Sequence, residues 1–216
     1  MSDKIVLTID GKKIETVAGR KILWAALDNG IYIPHLCAGP DDHSPFAACR
    51  LCFVEVEGYP RPVTACTVAV AEGMAVSTRS PRVDRMVSTG FEMIMSNHRT
   101  QCKSCPRNRN CSLQRIARER GLKLKPGRLE KLDRDLPVDD SAENITHDPN
   151  KCVLCGRCVK ACQKDGAGIL GFAHRGFDRV ITTFRGLPLG ESGCSGCGAC
   201  AWACPVGAMT AKPSLK

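Results

Sequence analysis

The chain contains no stretch approaching the ~18 consecutive apolar residues needed to span a bilayer, so no membrane insertion is expected of its 216 residues. Its opening, MSDKIVLTID, is charged and strand-like and lacks the apolar run of an export signal, which argues against a secreted disulfide scaffold. No GxGxxG fingerprint opens a strand-turn-helix unit, so no dinucleotide site can be read from the sequence. Nor does any acid-base pair stand out as catalytic machinery. What the chain has in excess is cysteine, fifteen of them, an odd number.

Most of these cysteines lie two or three residues apart, where side chains converge on a metal more readily than they bridge each other. Together with the missing export signal, this spacing predicts reduced thiols in a cytoplasmic compartment. A chain of this length divides into small domains with modest cores, for which metal bracing is a plausible support. The formal charge is +9, and residues 99–135 hold twelve Lys or Arg against four Asp or Glu, a net of +8. Such a balance could suit nucleic acid, but it counts every cysteine as neutral. Thiolates bound to a metal group would change the sum.

Along the chain, residues 4–16 alternate apolar and polar positions about Asp10-Gly11, a hairpin signal. Ile22, Leu23, Ala26 and Leu27 form a helical stripe that should stop at Gly30, and FVEVEG and MAVST read as strands. Ser80 and Pro81 look like a cap and first residue of a helix. Its apolar face would carry Val83, Met86, Val87, Phe91, Ile94 and Met95, and its end would deliver His98. A short amphipathic helix, SLQRIARER, should end at Gly121, and residues 122–150 read as a surface connection. LGFAHRGFDRVITTF suggests a hairpin.

One motif recurs. CVLCGRCVKAC at 152–162 returns as CSGCGACAWACP at 194–205, both CxxCxxCxxxC, the ligand run of bacterial two-cluster ferredoxins. In that pattern the fourth cysteine crosses to the other cluster. Cys152, Cys155, Cys158 and Cys204 would then hold one [4Fe-4S] cube, and Cys162, Cys194, Cys197 and Cys200 its neighbour. Gly156, Gly196 and Gly198 would let backbone N–H groups approach the sulfurs. A zinc ribbon needs only two CxxC pairs and leaves cysteines over in each run. Earlier in the chain Cys37, Cys49, Cys52 and Cys66 form Cx11CxxCx13C, whose first gap is longer than that of plant-type [2Fe-2S] ferredoxins. Cys66 alone would read as a buried core thiol. Three cysteines remain, Cys102, Cys105 and Cys111, one ligand short of four. A nearby histidine or carboxylate could complete them, and of the five histidines only His98 adjoins the trio, as HxxxCxxCx5C. His35, His43, His147 and His174 are expected to be ordinary residues.

With these motifs in this order, nearly the whole chain resembles the iron-sulfur amino-terminal region of the large peripheral subunit of complex I. Related modules occur in NAD-reducing and [FeFe] hydrogenases, NAD-dependent formate dehydrogenases and electron-bifurcating complexes. PNKCVLCGRCVKAC and GFAHRGFDRVITTF share that likeness. The resemblance implies an α+β chain of three domains. A β-grasp [2Fe-2S] domain would occupy 1–79, a small helical domain 80–143 would hold a [4Fe-4S] cluster on His98, Cys102, Cys105 and Cys111, and a two-[4Fe-4S] ferredoxin domain would fill 144–216. It also implies a relay of single electrons, non-catalytic alone, in a hetero-oligomer. One partner would be a flavin-bearing, NAD(P)H-oxidising subunit and the other a second redox subunit or ferredoxin. The family's large subunits continue into further domains, whereas this sequence ends twelve residues after Cys204. With about −7 on four oxidised clusters and their ligands, the +9 chain falls near +2, and the nucleic-acid reading loses its main support. Arg115, Arg118 and Arg120 are candidates for a docking face. The rival class is a zinc-braced module that binds nucleic acid or protein.

Overall fold

The computed structural model describes residues 4–40, 42, 44–132 and 134–213, so His43 lies outside the described residues. The chain divides into two compact units, Met1–Phe91 and Glu92–Lys216.

In the first unit, strands β1 (Lys4–Ile9) and β2 (Lys12–Val17) pair antiparallel, with Leu7 opposite Ile14. The alternation foreseen in the sequence places Leu7, Ile9 and Ile14 on the buried face. Asp10 (φ 51°) and Gly11 (φ 76°) both adopt the left-handed backbone of a tight hairpin turn, where Asp is tolerated and Gly is unstrained. Helix α1 (Ile22–Asp28) buries five consecutive residues, Ile22 to Ala26, so it is enclosed on nearly all sides. Strands β3 (Phe53–Val56), β4 (Val63–Thr64) and β5 (Ala75–Ser77) complete a sheet of order β2-β1-β5-β3-β4. Here β1 and β5 run parallel. This is a small mixed sheet packed on one helix, and the cysteine loop lies between α1 and β3. The Asp10 carboxylate locks it, accepting from the Thr78 backbone N–H at 2.7 Å and from its hydroxyl at 2.6 Å.

Helix α2 (Pro81–Asn97) starts as its sequence proposes: Pro81 leads, and Ser80 Oγ accepts from Val83 N at 3.1 Å. Of its expected apolar face, Val83, Val87, Phe91 and Met95 are buried, one turn apart, while Met86 and Ile94 are half-buried. Among the described residues, no helix is long and apolar enough to cross a membrane.

In the second unit, α3 (Ser112–Arg120) ends on Gly121 at φ 64°. Strand β6 (Ile145–His147) pairs antiparallel with β9 (Met209–Ala211). Between them lie helix α4 (Arg157–Asp165), the hairpin of β7 (Leu170–Ala173) with β8 (Val180–Thr183), and helix α5 (Ala199–Ala203). The two cysteine runs open α4 and α5, each through a left-handed glycine at the helix start, Gly156 and Gly198.

The first unit's core makes a direct prediction. Leu23 is fully buried in the cluster formed by α1 and the sheet, so Leu23→Ala should lower unfolding stability by about 2–5 kcal/mol. Denaturant unfolding followed by far-UV circular dichroism measures this, and an unchanged midpoint would refute the core described.

Candidate metal centres

The loop between α1 and β3, with the segment after β4, gathers Cys37, Cys49, Cys52 and Cys66, all buried. Cys37 Sγ lies 3.4 Å from Cys49 Sγ, and Cys66 hydrogen-bonds with both Cys37 and Cys52. Cys66 is thus one of a set and not an isolated core thiol. Four thiols this close cannot all ionise alone. Their mutual bonds pull Cys37 and Cys52 below the usual thiol range and push Cys49 and Cys66 above it. Ala47 and Arg50, flanking Cys49, hold positive φ at 49° and 51°, a conformation costly for residues with a Cβ.

A second constellation forms where α2 ends. His98, Cys102, Cys105 and Cys111 line one cavity, the four that the sequence grouped. His98 is buried, and its Nδ1 lies 2.9 Å from the Lys151 carbonyl. A carbonyl can only accept, so the proton is assigned to Nδ1, which leaves the Nε2 lone pair free for a metal. Burial is the main cause holding the imidazole below its ordinary pKa, with Lys131 and Lys151 adding to the effect. The ring is therefore neutral near pH 7, as a ligand must be. Burial likewise raises Cys111. The loop is anchored from behind by Arg107, whose Nη2 donates to the Ala201 carbonyl at 2.8 Å and the Cys204 carbonyl at 3.1 Å.

The third cavity is lined by Cys152, Cys155, Cys158 and Cys204, the crossed set. Burial pushes Cys152 up to about 11 and Cys155 up to about 12, and Cys158 well above its ordinary value. The fourth set is held together by proximity to Cys200, which feels Cys194, Cys162 and Cys197. Burial first, then these neighbours, raises it to about 12. Cys197 is the one exposed cysteine. The two runs repeat a local device. Leu154 N approaches Cys152 Sγ at 3.4 Å, and Gly196 N approaches Cys194 Sγ at 3.5 Å. Both residues take positive φ, which Gly196 adopts freely and Leu154 under strain.

The donor sets fit iron-sulfur chemistry. Soft sulfur donors dominate, and a bound metal would take them as thiolates. Two of the sets line small cavities, and the set of Cys162 and Cys200 spans α4 and α5. Sequence reasoning missed Gly207. An added Cβ there would fall on Cys105 Sγ, so the backbone passes directly against the second constellation. The only sequence signal was its place three residues after Cys204.

A model described as "NADH-ubiquinone oxidoreductase-G iron-sulfur binding region" matches residues 89–124. The crystal structure of an NAD+-reducing [NiFe]-hydrogenase in the H2-reduced state contains a chain 31% identical to this one. It superposes with a TM-score of 0.87 over 98% of this chain and 88% of that one. The chain belongs to the complex I G-subunit iron-sulfur family. Further family models match where the constellations lie: a 2Fe-2S iron-sulfur cluster binding domain over 2–81, and 4Fe-4S binding domains over 144–167 and 189–210. Among curated relatives, the alpha subunit of an NADPH-Fe(3+) oxidoreductase of Geobacter sulfurreducens is 37% identical over 97% of this chain. Subunit HndD of a NADP-reducing hydrogenase of Solidesulfovibrio fructosivorans is 32% identical over 95%. The chain spans 24% of the first relative's length and 36% of the second's.

Gly207→Ala should lower the iron content of anaerobically isolated protein, by about four atoms if one whole cube is lost. The far-UV circular dichroism of the first unit's fold should persist. Full iron in the variant would show that the backbone there can retreat.

Proposed function

We propose that the chain is an iron-sulfur relay carrying one [2Fe-2S] and three [4Fe-4S] clusters within a larger NAD(P)-linked oxidoreductase. The observation that carries this reading is the crossing: Cys204, from the second run, lines a cavity with the first three cysteines of the first run, and Cys162 from the first neighbours Cys200 in the second. Two interleaved fours on adjacent helices are the arrangement a two-cluster ferredoxin uses.

The proposed ligands are Cys37, Cys49, Cys52 and Cys66 for the [2Fe-2S] cluster. His98, Cys102, Cys105 and Cys111 would hold the first cube, Cys152, Cys155, Cys158 and Cys204 the second, and Cys162, Cys194, Cys197 and Cys200 the third. The corresponding domains are 1–79, 80–143 and 144–216. When bound, each such cluster takes up one electron and returns it. The protein's part is to exclude water from most of the thiols and to set the charge around each site. His98 sets that charge most directly. A neutral imidazole in place of a fourth thiolate removes one negative charge and favours the reduced state.

The chain would work in a hetero-oligomer in the cytoplasm, taking electrons from a flavin-bearing subunit that oxidises NAD(P)H and passing them to a second redox subunit or ferredoxin, or the reverse. No catalytic residue of its own is proposed, and nucleic acid is not a proposed partner. The half-exposed basic face of α3, with Arg115, Arg118 and Arg120, is one candidate docking surface.

Anaerobic metal analysis tests the reading: about fourteen iron atoms per chain and no zinc are expected. A colourless protein with stoichiometric zinc would overturn it. His98→Cys should keep that iron while shifting one [4Fe-4S] potential to more negative values in an EPR-monitored titration. If His98→Ala retains four clusters with unchanged spectra, another group is the ligand.

A further inference from the structure

His147 does not behave as the ordinary surface histidine that its sequence context suggested. It ends β6, is 7% exposed, and its Nε2 is the one buried side-chain nitrogen or oxygen without a hydrogen-bond partner among the described residues. Buried polar atoms are almost always paired, so an orphan needs an explanation, such as a group that belongs at the site.

The surroundings limit what that group can be. The ring lies between two cavities, one beside Leu136, Asp139 and Leu187 and one framed by Cys152, Cys155, Cys158 and Cys204, whose remaining wall is Gly156 and apolar side chains such as Ile181, Val206 and Met209. The two carboxylates acting on the ring are otherwise engaged. Asp139 accepts from Leu189 N at 2.8 Å and from the Ser141 N–H and hydroxyl. Asp148 accepts from Asn150 and pairs with Lys151 at 2.8 Å. The backbone holds the ring in place, since His147 and Asp139 exchange both main-chain hydrogen bonds at 2.8 Å, and His147 pairs across the strands with Met209. An imidazole carries at least one ring N–H, and Nε2 is the ring atom left without a partner. The side-chain acceptors lining the cysteine cavity are sulfurs.

We propose that His147 donates its Nε2–H to a sulfur of the cluster held by Cys152, Cys155, Cys158 and Cys204, and that this bond raises the potential of that cluster. The proposal rests on the cluster reading given above. A hydrogen bond to sulfur stabilises the extra negative charge of the reduced state, one of the levers by which proteins set such potentials. The two runs make the device asymmetric. Five residues before its first cysteine the first run has His147, and the second has Leu189. Two cubes with the same four-cysteine ligation thereby acquire different potentials, and His147 acts as a tuning residue for one of them.

The test uses the full chain, isolated anaerobically, with iron content and EPR-monitored redox titration read together. His147→Leu should keep the wild-type iron content while moving one [4Fe-4S] reduction equilibrium about tenfold toward the oxidised form, the effect of losing a hydrogen bond to a charged group. His147→Gln, which can still present an N–H, should recover part of that shift. Full iron with every equilibrium unmoved in the Leu variant overturns the proposal, as does an equal shift in both variants, which would mean packing alone. Should the Leu variant fail to load iron, pulsed EPR of wild-type protein carrying 15N-histidine decides. A weak nitrogen coupling in the [4Fe-4S] signals, beside the strong one of a coordinating ring, is expected, and its absence overturns the proposal. Wild-type protein without iron would instead overturn the cluster reading itself.

Discussion

Burying a thiol is cheap while it keeps its proton and costly once it loses it, and this chain buries nine of its fifteen cysteines. The second unit is organised around that constraint. Its strands are three or four residues long and its helices, apart from the end of α2, nine or fewer. Elements of that size bury little apolar surface, and much of what they enclose is sulfur. The folded arrangement therefore brings together groups that gain their full stability only when a cation replaces their protons. The surplus of basic residues fits the same account, because the charge it balances would arrive with the metal and is absent from the formal sum.

The first unit solves a different problem. Its core is ordinary, with Leu7, Ile9, Ile22, Leu23, Val54 and Val76 fully or almost fully buried between one helix and a mixed sheet. The cysteine loop lies on this core and contributes Cys52 and Cys66 to it. A stable support thus carries a strained loop, with left-handed Ala47 and Arg50 aiming the thiols. The second unit has no comparable separation between support and site.

Much of this was legible in the sequence wherever the signal was local. The Asp10-Gly11 turn, the Ser80-Pro81 cap and the Gly121 stop fell where propensity placed them, because each is decided by the backbone freedom of one or two residues. The placing of His98 beside Cys102, Cys105 and Cys111, and of Cys204 beside Cys152, Cys155 and Cys158, follows the spacings too, since short spacings leave few ways to converge. Pairings between distant residues were not legible. The parallel contact of β1 with β5 and the closure of β6 on β9 join segments more than 60 residues apart, and strands of three residues such as β5, β6 and β9 carry too little pattern to say which partner they take. Gly207 and His147 were missed for the same reason. Neither belongs to a motif, and each matters only because the fold brings it against a cysteine set from elsewhere in the chain.

Arg107 shows what such closeness entails. One guanidinium nitrogen, on the loop that carries Cys102, Cys105 and Cys111, holds the carbonyls of Ala201 and Cys204, which border the neighbouring four. The two sites therefore share a wall. Loosening either loop withdraws the donor or the acceptors from the other, so damage begun at one of these two sets would reach the other and not stay local.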